Sequence, residues 1–149
     1  MSAALHLAGP DDLPKLIKLV SAFHDEQQIV QDDDARAAGL APLLEGSPYG
    51  VAYLIGPKSA PIGYIVVTFG WSVEFGGMDG FVDEIYVRPG VRGRGVATEV
   101  LLALPRALAG SGLKALHLEV DRADSATRRL YEKTGFQPRE RYMLMTRTF

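Results

Sequence analysis

The chain has 149 residues, 47% of them hydrophobic and 23% charged, a composition expected of one soluble globular domain able to bury a core. A formal net charge of −2 gives no bulk attraction to nucleic acid or an anionic membrane, and the absence of cysteine excludes disulfides, thiolate metal sites and a cysteine nucleophile. No apolar run has the length of a bilayer span and no basic leader precedes an apolar signal segment, so the expectation is a cytoplasmic protein with no membrane partner.

The stretch ALHLA alternates as a short strand. PDDLPKLIKLVSAFHDEQ then places Leu13, Leu16, Ile17, Val20 and Phe23 at helical spacing, with Asp11 or Asp12 as its cap and Pro14 in its first turn. A second helix is expected from about Asp34 to Leu44, where GSP stops it. YGVAYLIG and PIGYIVVTFGW are expected to form a hairpin joined by PKSA, and FVDEIYV is a third long strand. In VATEVLLALPRALAG, apolar Val96, Val100, Leu104 and Leu108 recur every four residues, a helical pattern in which Pro105 should produce a kink. LKALHLEV alternates as a strand. DSATRRLYEKTGF is a helix with Asp124 as N-cap and Gly135 as left-handed terminator, and RYMLMTRTF is expected to close the chain as a final strand. The resulting order, β-α-α-β-β-β-α-β-α-β, points to a mixed sheet flanked by helices within a single domain of 1–149.

Between FVDEIYV and the third helix lies VRPGVRGRGVATEV. From Arg88 to Arg94 it holds three arginines and no acid, in a chain whose average charge is negative. It is not a Walker loop, because GK[ST] is missing, and it lacks the third glycine of the dinucleotide fingerprint. Glycines nevertheless let backbone approach a ligand closely, and the first amides of a helix have no internal partner and carry the positive end of its dipole. Nearby arginines can add forked, charge-assisted hydrogen bonds to an anion.

Arg92-x-x-Gly95-x-Ala97 resembles the acyl-CoA signature of the GNAT superfamily of N-acetyltransferases, written [QR]-x-x-G-x-[GA]. LHLEVDRADSATRRLYEKTGF is similar to the second conserved block of that superfamily, and the element order matches over nearly the whole chain. The resemblance implies an α/β (α+β) fold: a mixed, mostly antiparallel sheet of about six or seven strands with about four helices. It implies acetyl-CoA as cosubstrate, with no metal. Its pyrophosphate would rest on the amides of Arg92, Gly93, Arg94, Gly95, Val96, Ala97 and Thr98. The main chain of Ile85, Tyr86 and Val87 would pair with the pantetheine arm, and Arg88, Arg92, Arg94, Arg128 and Lys133 are the candidates to meet the 3′-phosphate. The chain departs from the family pattern at Asp124, usually Asn, and at Thr127, usually Ala; an ionised Asp124 cannot donate a hydrogen bond to the cofactor.

The resemblance further implies roles in catalysis. Tyr131 falls on the family tyrosine whose hydroxyl lies near the sulfur and serves as general acid. Asp83 and Glu84 match an acidic pair of polyamine-type acetyltransferases, Asp83 at the position of the base and Glu84 at that of its substrate-contacting neighbour; the alternatives are that one carboxylate only binds the amine while the other is solvated, or that the amine loses its proton to solvent. On a regular strand the two side chains point to opposite faces, so only one can enter the cleft unless a bulge intervenes. His6, His24 and His117 are scattered without metal-binding spacing, and His117 reads as a surface residue.

The acceptor cleft of the family is roofed by segments corresponding to HDEQQIVQDDDA and GWSVEFGGMDG. His24, Trp71 and Glu74, with Phe75, are therefore acceptor-site candidates, an aromatic-and-acid pocket suited to an ammonium group. The first expectation is an N-acetyltransferase acting on a small primary amine. Peptide N-termini or lysines are the alternative acceptors, and an acyl-CoA-binding sensor without useful transfer is the alternative class. A nucleic-acid partner is not expected, while exposed edge strands are compatible with a homodimer.

Overall fold

The computed structural model describes residues 4–149. The chain divides into two compact units, Met1–Glu119 and Val120–Phe149. In the first, β1 (Leu5–Leu7), α1 (Leu13–Gln27), α2 (Asp33–Leu44), β2 (Gly50–Ile55), β3 (Gly63–Ser72), β4 (Gly77–Val87), α3 (Val96–Ala107) and β5 (Ala115–His117) follow one another. The second holds α4 (Ser125–Lys133).

The helices form where the apolar spacing put them, but their ends differ in detail. Asp12 occupies the N-cap position of α1 without a side-chain bond to the helix; its carboxylate instead reaches back to accept the Gly9 N–H at 2.9 Å and holds the short Pro10–Asp12 turn in front of the helix. Asp32 caps α2 by accepting the Ala35 N–H at 2.8 Å. Pro105 lies inside α3, which nevertheless continues to Ala107.

The strands form one sheet in the order β1-β2-β3-β4-β5, antiparallel except for the parallel β4–β5 pair. This is the expected mixed, mostly antiparallel sheet, with five strands among the described residues where six or seven were expected. One strand is shorter than expected and one is missing. LKALHLEV contributes only Ala115–His117, and RYMLMTRTF forms no strand. A strand exists only as a member of a ladder, and within 120–149 no second extended element is available to pair with that final segment. Its Tyr142, Met143, Leu144 and Met145 side chains are exposed.

Each face of the sheet carries a core layer. Ala52, Leu54, Tyr64, Val66 and Tyr86, alternate positions on three strands, pack with Leu16, Leu19 and Val20 of α1 and Leu40 and Leu44 of α2. Tyr53, Ile55, Ile65, Val67, Val82 and Val87 are also buried, and α3, which packs against β4, buries Val96, Val100, Leu101 and Leu104.

Between β3 and β4 the backbones approach so closely that a Cβ on Gly63 would come within 2.1 Å of the Tyr86 carbonyl oxygen. A rigid carbonyl cannot yield as a flexible side chain would. Gly63→Ala should therefore cost roughly 1–3 kcal/mol of unfolding free energy, read from denaturant midpoints, because the ladder must shift to admit one methyl.

Candidate active site

β4 carries an irregularity that aims its acidic pair. In the β3–β4 register Val66 faces Glu84 and Val67 faces Val82, so Asp83 is the extra, unopposed residue of a β-bulge. Glu84 turns to the face covered by α1. There the Tyr64 hydroxyl donates to its Oε1 at 2.8 Å and His24 Nε2 donates to its Oε2 at 2.8 Å. His24, on α1, is only 5% exposed, and Arg36, on α2, 7%. Arg36 Nε donates to His24 Nδ1 at 3.3 Å, and its Nη1 donates to Asp33 at 2.7 Å.

These partners set the proton inventory. A guanidinium can only donate, so Nδ1 of His24 must be the unprotonated nitrogen and Nε2 must carry the hydrogen offered to Glu84. Burial and then the Glu84 charge push the Tyr64 phenol far above its ordinary 10.0, which keeps it a donor. Both oxygens of Glu84 are thereby engaged.

Asp83 reaches solvent, yet surrounding protein removes part of its hydration. That desolvation, followed by the charges of Glu84 and Glu119, raises its pKa above the ordinary 3.8. Positive charge on His24 acts in the opposite direction and is the smallest of these influences. The acidic pair is thus divided: one carboxylate is locked among donors, and the other is exposed at the bulge with its pKa raised.

A second feature begins where β4 ends. The chain passes through a Pro89–Val91 turn to Gly93 and Gly95, whose φ angles of +77° and +76° lie in the left-handed region, and Gly95 directly precedes α3. A Cβ on either glycine would meet no atom within 4 Å, so the space above the loop is open and the glycines answer to backbone conformation. The Arg92 side chain is not free to meet a phosphate as expected. Its Nε donates to the Val87 carbonyl at 2.8 Å, its Nη2 lies 2.6 Å from both carboxylate oxygens of Glu26, and its guanidinium stacks over the Tyr86 ring. Arg88 donates to the Pro61 carbonyl at 3.1 Å. Arg94 is exposed and has no ion pair among the described residues.

β5 pairs with β4 only from Asp79 to Phe81, so the outer edge of β4 is unpaired from Val82 onward among the described residues of this unit. The Arg88 N–H bonds the Ile62 carbonyl across β3. By antiparallel alternation the main-chain groups of Ile85 and Val87 face the open edge, and only the Val87 carbonyl is already taken, by Arg92. Unpaired amides opening a helix of 12 residues, an exposed arginine and a free strand edge fit a diphosphate carrying an amide-bearing arm, as in acetyl-CoA.

In the second unit the two departures from the family pattern answer each other. Asp124 Oδ1 accepts the Thr127 N–H at 3.1 Å while Oδ2 accepts the Thr127 hydroxyl at 2.7 Å, and these bonds hold the Asp124 carboxyl below its ordinary pKa. Arg128 is held by Glu132 and Glu140. Tyr131 packs edge-on against Phe136 at 6.1 Å, and burial, then the Asp124 charge, raise its phenol above 10.0, so it remains protonated.

Of Trp71, Glu74 and Phe75, expected in an aromatic-and-acid pocket, the tryptophan stands out from the surface. Trp71 is 75% exposed near the β3–β4 hairpin tip, because alternation turns it to the face opposite Thr68 and Gly70. A pocket of about 210 Å³ opens instead on the Thr68 face, lined in part by Asp79, Phe81 and His117. His117 is not a plain surface residue: its Nε2 donates to Asp79 Oδ2 at 3.2 Å. Sequence reasoning also passed over Arg36, Tyr64 and Glu26, which carry no motif and become visible only through their partners.

A family model described as Acetyltransferase (GNAT) family matches residues 14–136. The chain belongs to the GNAT acetyltransferases. Among solved structures similar to this GNAT chain is the integron cassette protein HFX_CASS3 from the mobile metagenome of Cole Harbour Salt Marsh, at 31% identity and a TM-score of 0.83, covering 96% of this chain and 89% of that one. The ribosomal-protein-alanine N-acetyltransferase of Brucella melitensis biovar Abortus 2308 shares the fold at 21% identity and a TM-score of 0.76, covering 99% of both chains. So does the aminoglycoside acetyltransferase meta-AAC0020 from an uncultured soil metagenomic sample, solved with sisomicin, at 13% identity and a TM-score of 0.77, covering 98% of this chain and 95% of that one. No curated protein matches the chain in sequence. Among the described residues no helix is long and apolar enough to cross a membrane.

The raised pKa of Asp83 has a stability consequence. Its ionised form is disfavoured by folding, so the penalty is absent below the ordinary 3.8, where both states are protonated, and complete above the raised folded value. Asp83→Asn should therefore raise the denaturation midpoint at pH 8, with an advantage that shrinks as pH falls toward 3.8.

Proposed function

We propose that residues 1–149 form one N-acetyltransferase domain that moves an acetyl group from acetyl-CoA to a primary amine by direct attack in a ternary complex. The observation that carries this reading is the bulge on β4. It presents Asp83 to solvent on a strand whose open edge leads straight to the left-handed glycines and the first amides of α3.

Asp83 is the proposed proton acceptor. Its raised pKa brings it closer to the range in which a carboxylate can take a proton from an ammonium group, directly or through water. Glu84, with both oxygens occupied, is the proposed positioning residue: its charge keeps Asp83 basic and its bonds hold the bulge. As the nitrogen–carbon bond forms and the carbon–sulfur bond breaks, the amine proton goes to Asp83. By the family resemblance, Tyr131 gives its phenolic proton to the departing thiolate and is later reprotonated from solvent. The loop, the α3 amides and Arg94 are the proposed diphosphate site, and Arg92 braces it through Glu26 rather than touching the ligand. Acceptors bearing an ammonium group are favoured by the acidic character of the exposed bulge.

Thiol release from acetyl-CoA, measured against a broad amine panel with product masses, tests the reading. Asp83→Asn should lower kcat by about 10²- to 10⁴-fold and remove the acid limb of the pH–rate profile. Tyr131→Phe should lower kcat by roughly tenfold or more with little change in CoA affinity. CoA-dependent thermal stabilisation without thiol release for any amine would instead identify a binding module.

A further inference from the structure

The 210 Å³ pocket beyond the bulge has no part in the transfer chemistry above, yet its lining is specific. Thr68 faces Phe81 and Gly70 faces Asp79 across β3–β4, while Phe81 faces His117 across β4–β5, so three adjacent strands bring one patch together. Asp79 Oδ2 accepts from His117 Nε2, which fixes the ring against the strand. Asp79 Oδ1 has no hydrogen-bond partner among the described residues. A Cβ on Gly70 would stand 3.1 Å from that oxygen, so glycine at this position is what leaves it uncovered. The rings of Phe75 and Phe81 flank His117, with centroids at 5.7 and 6.5 Å. No lysine or arginine lines the pocket. A carboxylate oxygen and aromatic rings together make an environment for a cationic nitrogen.

We infer that this pocket binds the distal ammonium group of a diamine or polyamine whose other end is acetylated beside Asp83. The inference rests on the proposed transferase reading and deepens it by naming the acceptor as a molecule with two separated cationic nitrogens. Asp79 lies four residues before Asp83 on the same strand, roughly 13 Å at the rise of an extended chain, which sets the spacing the acceptor must span. A monoamine reaches Asp83 but leaves the pocket unused.

The test is a series of α,ω-diamines of about three to ten carbons, compared with n-alkylamines of equal length, by steady-state kcat/KM with acetyl-CoA. Diamines long enough to span the two positions should be preferred by about 10- to 100-fold, and the shortest should show no preference. Asp79→Asn and Gly70→Ala should each bring that ratio close to one; the second adds a single methyl, and thermal melts check that both variants fold. A ratio near one at every length in the wild type, or a ratio that survives in both variants, would overturn the inference. Should no amine be acetylated, calorimetric titration of the longest diamines into the protein–CoA complex separates the two readings. Heat that is lost in Asp79→Asn and Gly70→Ala upholds the pocket without the transferase, and no heat with the wild type overturns it.

Discussion

The carboxylate of Glu84 is the constraint on which the arrangement of the first unit depends. It accepts from Tyr64 on the neighbouring strand and from His24 on α1, so a single side chain ties β3, β4 and the helix layer together beside a residue that has no strand partner. A half-buried charge is best tolerated when its lone pairs are met, and here two donors meet them. Arg36 extends the network to α2 and fixes which imidazole nitrogen faces the acid. With Glu84 held inward, the extra residue of the bulge is the one that turns out.

α1 serves this centre twice. His24 and Glu26, two residues apart in its last turn, reach the acidic pair and Arg92 respectively. Arg92 in turn closes on the Val87 carbonyl, so the end of β4 and the start of the glycine loop share a brace with the bulge. A change in the last turn of α1 would be felt in both places. The cap of α4 shows the same economy on a smaller scale, because Asp124 and Thr127 satisfy each other through two bonds.

Much of this was legible in one dimension. Helical spacing located α1 and α3, the Asp124 cap and Gly135 bounded α4, and two short blocks pointed to the acyl-CoA fold. Arg36 read as an ordinary helix charge and Tyr64 as an ordinary strand aromatic, since burial and partner are properties of the packed chain. The alternation in RYMLMTRTF looked sufficient for a strand, but alternation describes a face and does not by itself make a ladder.

The amino-acid sequence by itself determined the helices, the long hairpin, the glycine loop and the family, because all of these follow from local spacing and backbone preference. Tertiary structure alone decided which acid of the pair turns inward, which histidine is a partner of which carboxylate, and where the pocket across β3, β4 and β5 opens. Register and bulge position set those outcomes, and they depend on how strands far apart in the chain align.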